Sequence, residues 1–389
     1  MNGTSRREYL LAIWGRYQRV GREFRSKILD EFCRVCGYAR KYAIRLLGRD
    51  PHWRRRRKGP KPRYGPAVVL VLKRIWLASD QLCSKRLKAA LRTWLPYYER
   101  RYGLLKQKLR RQVLAVSPAT IDRLLRPVRA RCARRGLCGT RPGSLLTHLV
   151  PICTDHSQAS APGFLEADTV AHCGSSLAGD FVWSLTFTDI FSQWTENRAV
   201  WNKGATKVVE QVRQIEKHLP FAILGFDVDN GSEFLNHHLW RYWAHRPHPI
   251  RFSRSRPYKK NDQAHVEQKN WTHVRQLLGY QRIERRDLLP LINDLYRTWS
   301  LYHNYFCPNF KLLKKTRHGS RIRKTYRRPK TPYAVLLRSP HLAKEQKDRL
   351  RQTFENLDPF ALKDELESKL KHLFHQLRSG NPIHESTKT

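Results

Sequence analysis

Phe164-Leu165-Glu166-Ala167-Asp168-Thr169-Val170 is a short apolar stretch with acids at alternate positions, and it reads as a β-strand. Two residues apart on a strand, Glu166 and Asp168 share one face. Downstream, Phe181, Trp183, Leu185 and Phe187 alternate with Val182, Ser184, Thr186 and Thr188 at the period of two of a second strand. A third is expected over residues 194–201, within hairpin distance. Residues 207–218 have helical spacing, with Val208, Val209, Val212 and Ile215 on one side. Residues 222–228 form a near-continuous apolar run, the pattern of a buried parallel strand reached by a crossover helix. The expected order is three strands, helix, strand, helix, strand, helix over residues 160–285.

Charge frames this segment. The 389 residues carry 76 Lys and Arg against 32 Asp and Glu, a formal charge of +44 that calls for a polyanion as partner. Residues 1–150 hold 38 basic and 8 acidic side chains, whereas residues 163–280 hold 14 and 12. A nearly neutral core between basic flanks fits DNA-holding arms around a site that collects carboxylates. The length favours two to four domains. Eight scattered cysteines and no signal peptide predict a reducing, cytoplasmic and nucleoid-associated setting. The apolar run at residues 67–72 stops at Lys73 and is too short to span a bilayer, so no membrane segment is expected.

In the N-terminal flank, Ile28, Leu29, Phe32, Cys33 and Cys36, then Ala43, Ile44 and Leu47, recur at helical spacing on two segments interrupted at Gly37. A helix-turn-helix over residues 1–50 is expected, its second helix at about residues 38–47 presenting Arg40, Lys41 and Arg45 to DNA; a plain helical hairpin has much the same pattern. Cys33 and Cys36 fall in phase with the core stripe and read as packing rather than zinc ligands. Residues 51–66, with Arg54, Arg55, Arg56 and Arg57 before Gly59-Pro60, form a basic linker able to lie along a groove or to act as a simple tether. A second helical DNA-binding region is expected over residues 67–145. There Ser117-Pro118 signals a helix start, and the helix that follows carries Arg123.

Two runs identify a relationship. Asp229-Asn230-Gly231-Ser232-Glu233-Phe234, and residues 255–271 from Ser255-Arg256-Pro257 through Asn261, His265 and Glu267 to Trp271, closely resemble the integrase-type transposases of bacterial insertion sequences, relatives of retroviral integrases. The resemblance covers most of the chain and is strongest over residues 164–311. It implies an α/β ribonuclease-H-like catalytic core, a five-stranded mixed sheet with helices, preceded by all-α helix-turn-helix domains and followed by a helical tail. It also implies a triad, here Asp168, Asp229 and Glu267, that holds two Mg²⁺ or Mn²⁺ ions and performs DNA cleavage and strand transfer. The 37 residues between Asp229 and Glu267 are close to the spacing of that family. Double-stranded DNA, as element ends and target, and a homodimer or larger synaptic complex are the implied partners. The alternatives are a DNA-binding regulator with an inactive integrase-like core, or a nuclease of the same fold.

The residues carry a physical case of their own. Carboxylates at the ends of neighbouring strands and on a helix across them can converge despite their distance in sequence, and a divalent cation offsets their repulsion. Counted at 3.6 residues per turn, Glu267 continues a stripe with Trp271, Val274 and Leu278 that should face the sheet. Asp227 and Glu166 have the phase of Asp229 and Asp168; the Asp-Asn-Gly turn favours Asp229 at a strand end. Glu166, Asp189 and Glu233 are read as structural or peripheral. The loop before the helix, with Arg256, Lys259, Lys260, Asn261 and Gln263, and the helix residues Lys269 and Asn270, should grip DNA near the scissile bond. Leu288, Ile292, Leu295, Trp299, Tyr302 and Phe306 mark a long helix that packs on the core. Residues 286–335 are this helix and a basic arm, residues 311–330, broken at Gly319 and expected to contact DNA, and residues 336–389 a helical tail that serves dimerisation or packs on its own chain.

Overall fold

The computed structural model describes residues 1–50, 63–131, 160–228, 234, 237–246, 250–254 and 264–379. Arg54, Arg55, Arg56, Arg57, Asp229, Glu233, Arg256, Lys259, Lys260, Asn261 and Gln263 lie outside the described residues. The chain divides into two units, Met1–Arg63 and Tyr64–Thr389.

The first unit has three helices, α1 (Gly3–Arg19), α2 (Arg22–Cys36) and α3 (Arg40–Leu47). Gly37 takes φ 68° and its N–H closes on Cys33 O at 2.9 Å, the left-handed cap that ends α2. Ile28, Leu29, Phe32, Cys36, Ala43 and Leu47 are buried together with Ile13 of α1. Ile44, expected inside, is 47% exposed. The sequence reading has no counterpart of α1, because Ile13 is its one fully buried residue and gives almost no periodic signal. Cys33 and Cys36 are free thiols, Cys36 buried in the core.

The second unit begins with α4 (Pro66–Ala78), α5 (Ser84–Tyr102), α6 (Gln107–Ala115) and α7 (Pro118–Arg129). The Ser117 hydroxyl accepts from Thr120 N at 3.2 Å with Pro118 at the first helical position, so α7 starts where the sequence signals it. Strands β1 (Phe164–Ala171), β2 (Val182–Asp189) and β3 (Thr195–Trp201) follow, then α8 (Ala205–His218), β4 (Gly225–Val228), α9 (His237–Ala244) and β5 (Arg251–Arg254). Next come α10 (Ala264–Lys269), a π-helical stretch (Asn270–Arg275) and α11 (Gln276–Leu278). After α12 (Leu289–Phe306), a hairpin of β6 (Leu312–His318) and β7 (Arg321–Tyr326) precedes α13 (Pro332–Leu337), α14 (Lys344–Glu355) and α15 (Pro359–Ser379).

The five-stranded sheet has the order β3-β2-β1-β4-β5; β1–β2 and β2–β3 are antiparallel, β1–β4 and β4–β5 parallel. This is the expected order of strands and helices. Strand β4 is shorter than its apolar run because Gly163 O takes the N–H groups of Leu224 and Gly225 just before it. A Cβ on Gly225 would stand 2.5 Å from the Phe164 ring, so only glycine allows this approach of β1 and β4. At the other edge, α12 covers β3. The Asn304 side chain bonds both N and O of Thr195 at 2.9 Å, and the Asn293 side chain bonds N and O of Ala199 at 2.7 and 3.1 Å. Eleven residues apart on one helix face, the two amides satisfy the free backbone groups of an edge strand.

One apolar cluster runs from α4–α7 through the sheet and α12 to α15. Trp94, fully buried, donates Nε1–H to Phe306 O at 3.0 Å, and the Tyr302 hydroxyl donates to Ala78 O at 2.5 Å. The helices of residues 66–129 and the C-terminal tail therefore share the core of the sheet rather than forming separate domains. Of the two expectations for the tail, packing on its own chain is realised: Lys369 bonds Asp294 at 2.5 Å and Glu365 at 2.6 Å. Among the described residues no helix is long and apolar enough to cross a membrane.

Candidate functional site

Parallel register sets acids side by side. Glu166 of β1 lies opposite Asp227 of β4, and Asp227 opposite Ser253 of β5, whose hydroxyl donates to Asp227 Oδ1 at 2.7 Å. Glu166 and Asp227 are each 1% exposed. One position further, Ala167 pairs with Val228, the last residue of β4. The next residue on β1 is Asp168, half-buried; the next after Val228 is Asp229, outside the described residues.

Helix α10 is tied to β1 through these alternate acids. Glu166 Oε2 accepts the backbone N–H of His265 at 3.0 Å and of Val266 at 2.9 Å, capping the first turn of α10 from a neighbouring strand. Asp168 Oδ1 accepts Thr169 N at 2.7 Å, and its Oδ2 accepts Asn270 Nδ2 at 2.5 Å. Burial pushes the Glu166 carboxyl up to about 8; the Asp227 and Glu267 charges add to this, and the two N–H bonds oppose it. The charge of Glu267 is thus felt at Glu166, and the bonds of Glu166 to the start of α10 bring Glu267 to the same end of the sheet as Glu166, Asp168 and Asp227.

Three expectations are corrected here. Glu267 is exposed and does not continue a buried stripe. The stripe is Val266, Lys269, His273, Val274, Leu277 and Leu278, which keeps the helical period but lies to one side of the expected one, so Glu267 falls on its exposed flank. Lys269, expected on DNA, is 5% exposed; burial, with the Arg86 charge beside it, brings its ammonium down to about 7. Asn270, also expected on DNA, holds Asp168 instead, and its Oδ1 is buried without a hydrogen-bond partner. The positioning roles of Glu166 and Asn270 had usable signals: an acid two residues before Asp168 on the same strand face, and an amide three residues after Glu267 on the same helix face.

Behind these groups burial holds the interior histidines below their usual range. His172 meets the Ser184 hydroxyl at 2.7 Å, which meets the Tyr296 hydroxyl at 2.5 Å, and burial brings His172 down to about 3. His273 and His303, ring centroids 4.5 Å apart, are likewise held well below the usual histidine range, by burial first. Asp189, raised to about 6 by burial, accepts Gly163 N at 2.9 Å and Ser192 N at 2.7 Å, so it fixes the turn after β2, as a structural reading expects.

No family model matches the sequence. The chain is 41% identical over 335 residues to an uncharacterized protein, y4rM, of Sinorhizobium fredii, across 85% of this chain and 95% of that one. It belongs to the family of y4rM. Among solved structures, the intasome of simian T-cell lymphotropic virus in complex with PP2A regulatory subunit B56 gamma matches with a TM-score of 0.31 and 13% identity, over 64% of this chain and 76% of that chain. A likeness at that level carries no argument.

In this member of the y4rM family, no three His, Cys, Asp or Glu among the described residues stand together as a metal-holding group. The donors at the acid end are all oxygens: a half-buried Asp168, an exposed Glu267 and the unpartnered Asn270 Oδ1. That set fits a hard divalent cation such as Mg²⁺ and not a thiolate-bound metal. A cleft of about 1180 Å³ between α4, the π-helical stretch and α15 is lined by Arg74, Trp271, Arg275 and Phe360 but by none of these acids, so the strand end and not the cleft defines the site.

Apart from the buried Lys269, the cations expected on DNA are exposed where described. Arg40 is ion-paired to Asp30 and donates to Ser26 Oγ at 2.9 Å, Arg45 lies over the Tyr42 ring at 5.0 Å, and Lys41 of α3 and Arg123 of α7 face solvent. Arg40 thus braces α3 against α2.

Proposed function

We propose that the protein is a DNA transposase of the integrase type, with a ribonuclease-H-like core that cleaves DNA at the ends of its mobile element and joins them to target DNA. One observation carries this reading: Asp168 stands one residue beyond the Ala167–Val228 pair, Asp229 follows Val228 directly in the chain, and α10 brings Glu267 to the same end. The strand order and directions support the ribonuclease-H-like assignment.

Asp168, Asp229 and Glu267 would hold two divalent ions. Bound there, Mg²⁺ supplies positive charge against the scissile phosphate and makes water or a 3′-hydroxyl a better nucleophile. The rest is the work of the chain. Asn270 fixes the rotamer of Asp168, and Glu166 holds the start of α10 and with it the approach of Glu267. The helix-turn-helix reading of α2 and α3 assigns Lys41 and Arg45 to the element ends. Joining two ends calls for a dimer or larger complex on DNA, and a transposase of this kind acts in the nucleoid.

The test is a nicking and strand-transfer assay of the full chain on duplexes that carry the DNA flanking its own gene, with and without Mg²⁺ or Mn²⁺. Metal-dependent nicks at a fixed terminal position, followed by joined products, are expected. Full activity in both Asp229→Asn and Glu267→Gln would refute the assignment. Cleavage that ignores terminal sequence and never joins ends would make the protein a nuclease instead.

A further inference from the structure

Residues 311–330 carry ten Lys and Arg and no Asp or Glu. They contain β6 and β7, which pair only with each other as an antiparallel ribbon turned at Gly319, φ 58°. A lone two-stranded ribbon is at best marginally stable in water, and this one has little of its own to bury. Leu313 is 62% exposed and Tyr326 49%. Lys314 lies opposite Thr325, Thr316 opposite Arg323, and His318 opposite Arg321, so these six share a face. Lys314, Arg321 and Arg323 are exposed, and no described acid pairs with them.

The root is fixed while the tip stands clear. Arg86 donates to Pro308 O at 2.5 Å and to Asn309 Oδ1 at 3.2 Å, Asn309 and Lys330 bridge backbone to backbone, and Arg327 N bonds Lys311 O at 2.8 Å. Lys311 Nζ donates to Phe191 O at 3.3 Å in the turn between β2 and β3. In that same turn Gln193 Nε2 meets His265 Nδ1 of α10 at 3.1 Å. The ribbon therefore springs from the end of the sheet where α10 begins.

We infer that the β6–β7 ribbon is a groove-binding element for B-form duplex DNA, seated in the major groove with Lys314, Arg321 and Arg323 on the flanking phosphates. Seven residues of strand extend about 23 Å at ~3.3 Å each, and two strands lie about 4.8 Å apart. A major groove about 12 Å wide and about 8.5 Å deep admits such a ribbon. The fit is specific to B-form geometry, because the major groove of A-form RNA is too deep and narrow to enter. The inference rests on the DNA-binding part of the proposed function and not on its strand-transfer or metal chemistry.

The experiment uses the full chain in EDTA. Equilibrium binding to a 30-bp DNA duplex and to an RNA duplex of the same sequence is followed across a salt series. For the triple variant Lys314→Ala/Arg321→Ala/Arg323→Ala, the slope of log K against log salt on DNA should fall by about 2.7, about 0.9 per lost phosphate contact. Lys314→Arg/Arg321→Lys/Arg323→Lys should keep the wild-type slope, which separates charge from any loss of the hairpin. RNA should bind more weakly and with the same slope in wild type and triple alanine variant. An unchanged DNA slope, or equal losses on DNA and RNA, overturns the proposal. If no metal-dependent nicking is found but the DNA slope falls as stated, the ribbon assignment stands and the transposase reading fails.

Discussion

The acid end of the five-stranded sheet and the basic β6–β7 ribbon adjoin at Lys311 and differ in how their charges are held. Glu166 is 1% exposed and accepts two backbone N–H groups, Asp227 accepts Ser253 Oγ, and Asp168 accepts Asn270 Nδ2. On the ribbon, Lys314, Arg321 and Arg323 are exposed, with no acidic partner among the described residues. Burying carboxylates in proximity is costly and tolerable only with fixed donors, whereas exposed cations cost little and leave their contacts to a ligand. The first region should therefore respond to single substitutions, and the second to salt and to the number of charges removed.

The sharpest break of that comparison is Asp168→Asn. It keeps the shape and the bond lengths of the side chain but removes its charge, and metal-dependent nicking should fall by more than about 100-fold, beyond the 10–100-fold typical of groups that only support a metal ligand. DNA binding in EDTA should hardly change. Asn270→Ala comes next: the carboxylate stays but loses its fixed rotamer, so a loss of about 10–100-fold with a raised Mg²⁺ requirement is expected. Rescue of the rate by high Mg²⁺ would separate positioning from ligation, and a variant as fast as wild type at every Mg²⁺ concentration would remove Asn270 from the site.

What could be read beforehand follows the same division. The strands and α8 were legible because half-buried strands alternate, buried strands run apolar and amphipathic helices repeat at 3.6. The α7 start was legible because Ser117-Pro118 is a local signal. The role of Lys269 was not: it sits on the buried stripe between Val266 and His273, and a lysine gives no local sign that its side of a helix turns inward. Residues 311–330 read only as a basic, DNA-contacting arm broken at Gly319, because their cations mask the alternation; the ribbon follows from pairing across Gly319. The merging of residues 66–129 and the tail with the sheet depends on long-range contacts such as Trp94 with Phe306, which periodicity does not record.

A smaller effect sharpens the contrast through pH. Unfolded, the His172 imidazole takes a proton below about 6.5; folded, burial delays this to about 3. Between these values the unfolded chain binds the extra proton, so the contribution of His172 to stability is complete above pH 6.5 and is lost progressively as pH falls toward 3. Denaturant titrations between pH 7 and 4.5 should show His172→Asn with a pH dependence shallower than wild type, by up to about 1.4 kcal/mol per pH unit at the acid end of that range. Parallel curves would mean that the buried imidazole is protonated in the folded protein.

The smallest effect concerns the ribbon itself. Arg323 is exposed, has no ion pair among the described residues and sits on a hairpin outside the shared core, so Arg323→Ala should change unfolding stability by no more than about 0.5 kcal/mol while it weakens DNA binding at low salt. Thermal and denaturant unfolding of the DNA-free protein measure the first quantity. A loss above about 1 kcal/mol would mean that the guanidinium braces the fold, because an exposed, unpaired cation has no route to a cost of that size. The acid end and the ribbon would then differ in sign of charge alone and not in how that charge is held.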